Sequence, residues 1–280
     1  MGAVLYVVAT PIGNLGDITA RAVDTLRTVD RVYAEDTRRT RALLAHFGIA
    51  GKPLDALHAH TEPADVARAA ERLAGGESAA LVTDAGTPGV SDPGDALVRE
   101  AIARGVRVVP IPGASAPLAA LSASGLGGGG GFRFFGFLAT QGQAREEALL
   151  AIAETPEPVI LFESPGRTAR TLADLAAATP ARPACVAREL TKIHEELVRG
   201  PLSALAADDR EWVGEVVIVL GAFAPTDRSE AIGDDAIDAR IDEELARGLH
   251  AKTVAARVAA WAGRSKKDVY QRVIARKDRA

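Results

Sequence analysis

Short apolar runs alternate with amphipathic segments along the first part of the chain. The runs are nearly continuous and rich in β-branched residues, which is typical of strands buried on both faces of a sheet. The predicted strands are Val4–Ala9, Arg31–Ala34, Leu81–Thr83 and Val106–Ile111. Helical spacing of apolar positions predicts helices at residues 20–29, at Asp65–Ala74, after Asp95 and at Ala116–Ser124. This β–loop–α–β order favours a parallel sheet.

A second block of alternating elements follows the five-glycine connector Gly127–Gly131. Its predicted elements are helix Arg145–Glu154, strand Val159–Phe162, helix Thr168–Ala178, strand Ala184–Arg188, helix Leu202–Ala207 and strand Gly214–Leu220. After a linker by composition at Pro225–Gly233, the pattern predicts only helices: Asp234–Arg247, Lys252–Trp261 and a third one capped by Ser265. We therefore predict an α/β protein with two α/β domains, at residues 1–126 and 127–224, and a small helical module at 234–280.

The stretch Leu81–Gly94 combines a buried strand with a long loop rich in turn residues. Its sequence is LVTDAGTPGVSDPG, so glycines allow close backbone approach and prolines stiffen the loop. Ligands of parallel sheets bind beyond the carboxyl ends of the strands, where this loop is expected to lie. A second turn, Pro110–Pro117, precedes the helix Ala116–Ser124, and backbone N–H groups at that position can hold a polar ligand. For the loop at Leu81–Gly94, a turn-rich connector without a role is the alternative.

Polar side chains also follow other predicted strands. The groups are Glu35-Asp36-Thr37-Arg38-Arg39-Thr40, Glu163-Ser164 and Glu189-Leu190-Thr191-Lys192. Such side chains suit a cleft at the ends of two sheets. For the first group, a capped helix start with a solvated face is an equally good interpretation.

Composition narrows the function classes only slightly. The net charge of −4 over 280 residues argues against attraction of nucleic acid by the whole surface, but it allows a local basic patch. The single cysteine, Cys185, permits no intramolecular disulfide, which favours a reducing, cytoplasmic location. Pro11 ends the first apolar run too early for a signal peptide, and the longest apolar stretch, Val216–Ala224, is too short to cross a membrane.

No metal site is predicted. His58 and His60 alternate along a possible strand, Leu54–His60, and would share one face. No cysteine or carboxylate joins them at a ligand spacing, so polar residues at a strand end are the better interpretation.

Basic residues cluster in the last two predicted helices. They are Lys252, Arg257, Arg264, Lys266, Lys267, Arg272, Arg276, Lys277 and Arg279, and few acidic residues follow Leu249. A helix-turn-helix-like module with a basic face is a candidate nucleic-acid contact. The alternatives are a solvated helical tail and a dimer contact.

Several motifs resemble one family in order and spacing. They are LYVVATPIGNLGDIT at Leu5–Thr19, AEDTR at Ala34–Arg38, VTDAGTP at Val82–Pro88, Pro112-Gly113 with Ser115, Glu163-Ser164, and ARELTK at Ala187–Lys192. The chain is similar over nearly its whole length to bacterial 16S ribosomal RNA cytidine 2′-O-ribose methyltransferases, a branch of the tetrapyrrole methylase superfamily. Two departures are small: Thr83 stands where a serine is usual, and the run Gly127–Gly131 replaces a more varied loop.

The resemblance implies two α/β domains, a homodimer, and S-adenosylmethionine held in a cleft between the domains. The cofactor contacts that it implies are Pro11, Asp84, Ala85, Gly86, Thr87, Val90, Ser115 and Ala116 in the first domain, and Phe162, Leu190 and Gly214 in the second. S-adenosylmethionine has no phosphate, so neither a Walker loop nor GxGxxG is required, and neither is present. The implied substrate is 16S ribosomal RNA or the small ribosomal subunit, without a metal or a membrane.

Methyl transfer to a ribose hydroxyl needs in-line positioning and is helped by a general base. Strand-end positions make Asp36, Glu163, Glu189 and Lys192 unranked candidates for the base. Arg38, Arg39 and Arg188, together with Lys266 and Lys267 of the module, suit contacts with RNA phosphates. Two alternatives stay open: a methylase of a small molecule such as a tetrapyrrole precursor, and a non-catalytic RNA-binding protein.

Overall fold

The computed structural model describes residues 3–58, 60–223 and 232–277. The chain divides into two compact units, Met1–Ala119 with Thr191–Ile193, and Ala120–Leu190 with His194–Ala280. Each unit has its own five-stranded sheet and its own apolar core. The C-terminal helices belong to the second unit.

The first unit is built on a parallel sheet. Its strands are β1 (Val4–Val8), β2 (Arg31–Ala34), β3 (Leu54–Ala56), β4 (Ala79–Val82) and β5 (Arg107–Ile111). They pair in the order β3-β2-β4-β1-β5, and every pairing is parallel, as predicted. The helices of this unit are α1 (Ala20–Thr28), α2 (Thr37–His46), α3 (Pro63–Ala74) and α4 (Asp95–Ala103). The next helix, α5 (Ala116–Ser124), begins in the first unit and ends in the second.

Apolar residues on both faces of this sheet explain why its strands read as continuous hydrophobic runs. Leu5 and Leu81 belong to one buried cluster, and Val8 and Val82 belong to another. Because side chains alternate along a strand, the two clusters occupy opposite faces. A strand covered on both faces needs no polar side, so the sequence shows no alternation there.

The second unit has a mixed sheet. Its strands are β6 (Arg133–Phe137), β7 (Val159–Glu163), β8 (Pro183–Arg188), β9 (Glu196–Pro201) and β10 (Val216–Leu220). They pair in the order β6-β7-β10-β8-β9; β6 and β7 are parallel, and the other pairings are antiparallel. The helices before the C-terminal segment are α6 (Gln143–Glu154), α7 (Pro165–Ala178) and α8 (Leu202–Ala207).

Three strands differ from the sequence analysis, and one of them, the edge strand β6, has no predicted counterpart. The edge strand β9 also has no predicted counterpart, because its charged residues and terminal Gly-Pro are typical of a loop. Such residues are nevertheless common in strands at the edge of a sheet. The strand predicted at Leu54–His60 is too long: β3 ends at Ala56, and His58 and His60 lie in a turn. In that turn the backbone N–H of His60 donates to Nδ1 of His58 at 3.2 Å.

Three helices end the chain: α9 (Asp234–Ala246), α10 (Ala251–Ala262) and α11 (Lys266–Lys277). They share a buried apolar cluster that includes Ile241, Val254 and Val273. Helix α10 also packs against α6 and α7, and Arg240 of α9 donates to the carbonyl of Ala177 at 3.3 Å. The predicted linker falls largely on residues 224–231, which lie outside the described residues, as does Arg279.

Candidate functional site

The carboxyl edge of the first sheet carries loops that are tied to one another by hydrogen bonds. Thr10, which follows β1, exchanges two backbone hydrogen bonds with Gly86, which follows β4, at 2.8 and 3.1 Å. The Thr10 hydroxyl also donates to the carbonyl of Thr83 at 3.2 Å. The loop that contains Pro11 is therefore held against the loop Asp84–Val90, although the two are more than 70 positions apart in sequence.

The loop after β5 joins the same edge. The hydroxyl of Thr87 donates to the carbonyl of Ala114 at 3.0 Å, which places Thr87 next to the turn that leads to Ser115 and Ala116. Gly86 has a φ of +84°, and a Cβ atom built there would lie 3.4 Å from Cγ2 of Ile12. A residue with a side chain would be strained at that position, so the edge depends on glycine there.

Carboxylates link the end of β2 to the loop after β4. The backbone N–H of Asp84 donates to the Glu35 carboxylate at 3.2 Å, and the backbone N–H of Asp36 donates to the Asp84 carboxylate at 3.0 Å. Arg39 lies 3.5 Å from the Asp84 carboxylate, with an exposed side chain. This reciprocal arrangement fixes the end of β2 against the central loop.

Asp36 is the N-cap of α2. Its carboxylate accepts from the backbone N–H of Arg38 at 2.8 Å and from the Arg38 guanidinium at 2.7 Å. The hydrogen bonds from Arg38 hold the pKa of Asp36 well below its usual range. A carboxylate with a lowered pKa is a weak base, so this geometry favours the capping role that the sequence analysis left open.

Asp92, which the sequence analysis did not select, lies in the loop that follows β4. Asp92 is partly buried, and burial, together with the nearby carboxylates of Glu35 and Asp84, raises its pKa to about 6. Within the part of the chain that the structure describes, its side chain makes no hydrogen bond or ion pair. The sequence Ser-Asp-Pro-Gly around Asp92 indicates only a turn. The raised pKa follows from burial and from the proximity of two other acids, and both are properties of the folded chain.

The second sheet brings its own predicted residues together at one edge. Phe162 near the end of β7 and Ala187 near the end of β8 both pair with Val217 of β10. Beyond the strands, the backbone N–H of Glu215 donates to the Glu189 carboxylate at 2.9 Å. Gly214 has a φ of +81°, and a Cβ atom there would lie 2.3 Å from Oε1 of Glu189. A side chain at position 214 would therefore be strained by the positive φ and would displace the Glu189 carboxylate.

Glu163 ends β7 in a buried polar network. One oxygen of its carboxylate accepts from the Arg167 guanidinium at 2.7 Å and from the backbone N–H of Ser164 at 2.8 Å. The other oxygen accepts from the hydroxyl of Thr171 at 2.7 Å. Since the side chain is fully buried and both oxygens have donors, Glu163 is poorly placed to accept a proton from a substrate.

The remaining predicted residues lie in different surroundings. Arg188 is ion-paired with Glu196 at 2.7 Å across β8 and β9, and Lys192 lies in the turn between these strands. Lys266 and Lys267 begin α11, in the C-terminal helices. Leu190 is buried, and Arg38 is highly exposed.

In residues 3–58, 60–223 and 232–277, no group of three or more His, Cys, Asp or Glu side chains has an arrangement that could hold a metal ion. Within the same residues, no helix combines the length and the apolar character needed to cross a membrane.

Related proteins share this architecture. The chain is 48% identical over 256 residues to ribosomal RNA small subunit methyltransferase I of Xylella fastidiosa, covering 90% of this chain and 93% of the relative. It is 43% identical over 281 residues to the protein of the same name from Pseudomonas aeruginosa, covering 99% and 98% of the two chains.

Solved structures show the same fold at low identity. The methyltransferase CobJ matches with a TM-score of 0.60 and 22% identity, over 80% of this chain and 95% of that chain. The uroporphyrin-III C-methyl transferase of Thermus thermophilus complexed with S-adenyl homocysteine matches with a TM-score of 0.53 and 21% identity, over 79% and 97%. The model of the tetrapyrrole (corrin/porphyrin) methylases matches residues 4–206. The chain therefore belongs to the tetrapyrrole (corrin/porphyrin) methylase family and groups within it with the ribosomal RNA small subunit methyltransferase I proteins.

Proposed function

We propose that the protein transfers a methyl group from S-adenosylmethionine to the ribose 2′-hydroxyl of a cytidine in small-subunit ribosomal RNA. The observation that carries this proposal is the match to relatives named ribosomal RNA small subunit methyltransferase I. The match extends over nearly the whole chain, including the C-terminal helices. The set of hydrogen-bonded loops at the carboxyl edge of the first sheet supports it, since ligands of such sheets bind there.

The residues of the first unit fit S-adenosylmethionine. The loops with Pro11, Ala85–Val90 and Ser115–Ala116 would hold it through backbone groups, and the glycine at position 86 keeps their surface open. The carboxylates of Glu35, Asp84 and Asp92 add negative potential, which suits a sulfonium cation. From the second unit, Phe162, Leu190 and Gly214 are the proposed contacts. When bound, the cofactor supplies an activated methyl group.

The chain must also position the hydroxyl and accept its proton. The cofactor would supply the methyl carbon and its sulfur would keep the electrons of the broken carbon–sulfur bond, while the hydroxyl oxygen that forms the new carbon–oxygen bond would lose its proton to a base. Asp92 suits that base better than Asp36 or Glu163, because a carboxylate with a pKa of about 6 is largely ionised at neutral pH and still binds a proton well. Glu189 and Lys192 remain candidates.

RNA contacts are proposed for exposed cations. Arg38 and Arg39 of α2 are highly exposed, and Lys266 and Lys267 of α11 lie at the surface. Arg38 is paired with Asp36 and Arg188 with Glu196, so a phosphate contact at either arginine requires exchange of partners. The homodimer stays a prediction of this proposal.

The test is transfer of labelled methyl groups to small ribosomal subunits that lack modification, followed by mapping of the label. We expect one labelled cytidine ribose. Thr87→Trp should fill the cofactor site and abolish both transfer and S-adenosylhomocysteine binding measured by calorimetry. Transfer of the label to a tetrapyrrole precursor and not to RNA would contradict the proposed substrate. Unchanged calorimetric affinity in Thr87→Trp would contradict the proposed position of the cofactor.

A second measurement concerns the base. If Asp92 accepts the proton, the rate of transfer rises with pH around 6 in the wild type and loses that dependence in Asp92→Asn, with a large fall in kcat. A profile that keeps its rise near pH 6 in the variant would exclude this residue. Activity that survives EDTA, with RNA folding controlled for, is expected because methyl transfer from a sulfonium needs no Lewis acid.

A further inference from the structure

The basic residues of the C-terminal helices fall into two groups, those paired closely with acidic residues and those that are exposed without a close partner. Three arginines, one just before α11 and two within it, pair with acidic residues of α9. Arg264 lies 3.7 Å from Asp234, Arg272 lies 3.0 Å from both Asp234 and Asp238, and Arg276 lies 3.1 Å from Asp238 and also contacts Asp242. These cations already have acidic partners.

Arg257 of α10 is also engaged, because it lies 3.4 Å from the buried carboxylate of Glu244. The exposed lysines behave differently. Lys252 and Lys267 have no hydrogen bond or ion pair within the residues that the structure describes, and Lys266 has one long ion pair with Glu154, at 3.8 Å between exposed side chains. The cations available to a ligand are therefore lysines, whereas most of the nearby arginines are occupied.

The three lysines line one groove of the second unit. It has a volume of 710 Å³ and lies between α6 and the helices α10 and α11. Tyr270, which is partly exposed, lines the same groove. Helix α6 contributes Glu146 and Glu147, and Glu147 accepts a hydrogen bond from Gln143 at 2.7 Å.

We propose that this groove binds a single-stranded segment of the ribosomal RNA substrate, with phosphates at Lys252, Lys266 and Lys267. The inference rests on the proposed function and names its RNA contact. Lys252 and Lys267, which have no ion-pair partner among the described residues, and Lys266, whose ion pair with Glu154 is long, offer positive charge to RNA phosphates. The aromatic side chain of Tyr270 beside them offers a stacking surface for a base. The glutamates repel phosphate, which keeps the backbone on the lysine side, and their oxygens can accept from base amino groups.

The lysines of the groove and the arginines of α11 are expected to contribute differently to RNA binding. If net charge alone attracted RNA, the arginines of α11 would contribute as much as the lysines. Because α9 carries three acids against those arginines, their field is largely cancelled at the distance of an RNA phosphate. The two sets of residues can therefore be separated by substitutions that change the net charge equally.

The experiment titrates the full-length protein with an unmodified small-subunit ribosomal RNA transcript at several salt concentrations. The test variant is Lys252→Gln with Lys267→Gln, and the matched control is Arg272→Gln with Arg276→Gln. We expect the test variant to bind about tenfold more weakly at low salt and to lower the salt slope by about 1.4, since each single-strand phosphate contact contributes about 0.7. The control should stay within about twofold, and thermal melting checks that both variants are folded.

Tyr270 gives a second, uncharged readout. Tyr270→Phe keeps the ring and should retain RNA affinity, whereas Tyr270→Leu should weaken it roughly fivefold or more with an unchanged salt slope, because stacking is lost but no phosphate contact is. Equal affinity of the Phe and Leu variants would exclude stacking.

The outcomes separate this inference from the proposed function. Equal weakening in the lysine and arginine variants, or none in either, would overturn the groove as an RNA site while wild-type methyl transfer to ribosomal RNA stands. Unchanged RNA binding with loss of binding to a purified ribosomal protein would assign the groove to a protein instead. If the wild type transfers no methyl group to ribosomal RNA, the proposed function fails, and the titration still reports on the groove by itself.

Discussion

At the scale of single residues, the loops of the first sheet depend on a few backbone positions. Gly86 adopts a left-handed conformation, with a φ of +84°, and it hydrogen-bonds to Thr10 through both its N–H and its carbonyl. The motif around it marks a ligand loop in the sequence. The reason for the glycine is visible only in the structure, because its positive φ would strain any residue with a side chain, whereas a Cβ atom would meet Ile12 and Ala114 at ordinary contact distances.

Gly86→Ala should lower the free energy of unfolding by roughly 1–2 kcal/mol, the cost of a left-handed non-glycine residue, and should also weaken S-adenosylhomocysteine binding. The matched control is Gly105→Ala, since Gly105 has a φ of +73° with no atom within 4 Å of its Cβ position. Denaturant unfolding and calorimetry measure the two effects. The control should lose similar stability but no affinity, and equal affinities in the two variants would contradict the placement of the cofactor.

Asp92 predicts a pH dependence of stability. Its pKa is raised from 3.8 to about 6 in the folded chain, so between these values the folded state binds more protons than the unfolded state. The stabilising contribution is full below pH 3.8 and is lost as the pH rises through 6. With allowance for partial exposure, the loss is about 1 to 2 kcal/mol. The free energy of unfolding measured in urea should decline less between pH 4.5 and 7.5 in Asp92→Asn than in the wild type. Equal declines in the two proteins would argue against the raised pKa.

At the scale of elements, the end of β7 and the start of α7 are joined by buried polar groups. The Glu163 carboxylate binds Arg167 and Thr171, and Thr171 in turn accepts from Arg145 of α6 at 2.9 Å. Arg145 also pairs with Asp174 at 2.8 Å. The network therefore connects one strand with two helices. Its residues are scattered along the chain and show no common motif.

Glu163→Gln should lower the free energy of unfolding by roughly 2 kcal/mol, because it leaves a partly buried guanidinium without its charge partner. Glu196→Gln, at an exposed carboxylate paired with Arg188 and Arg210, should cost less than about 1 kcal/mol. Chemical denaturation gives both values. Methyl transfer by the folded Glu163→Gln protein should be nearly normal at low temperature. A loss of kcat by orders of magnitude in folded protein would instead make Glu163 a catalytic residue.

At the scale of the whole molecule, the C-terminal helices are part of the packing of the second unit. Helix α10 lies against α6 and α7, and Arg240 bonds to the backbone of α7. The sequence suggests a module that is separable at its linker, and these contacts make a truncation more disruptive than that pattern implies.

A chain that ends near Ala224 should therefore lose stability as well as RNA affinity. The melting temperature should fall by roughly 5 °C or more, because the apolar side of α6 and α7 that faces α10 becomes exposed. Thermal melting and light scattering test this directly. A truncated protein that melts at the wild-type temperature without aggregation would show that the helices are an independent module, and the lysine variants then remain the cleaner test of RNA binding.

The sequence by itself determined the elements and the family. Continuous apolar runs and helical spacing are local properties, so they predict buried strands and the helices that alternate with them. Motifs around Pro11 and Gly86 carry the family resemblance because they keep their order along the chain. The edge strand β9 escaped this reasoning, since an exposed edge tolerates the charges and the proline of a loop.

The tertiary structure decided which charged groups are available. Arg272 and Asp238 are 34 positions apart, and only the packing of α9 with α11 brings them together and removes the arginine from the basic face. Packing likewise buries Glu163 among donors and places Asp92 beside two other carboxylates. Electrostatic interactions depend on distance and burial in space, which local sequence patterns do not encode. For that reason the sequence identified the chemistry of this protein, and the fold selected the residues that are free to perform it.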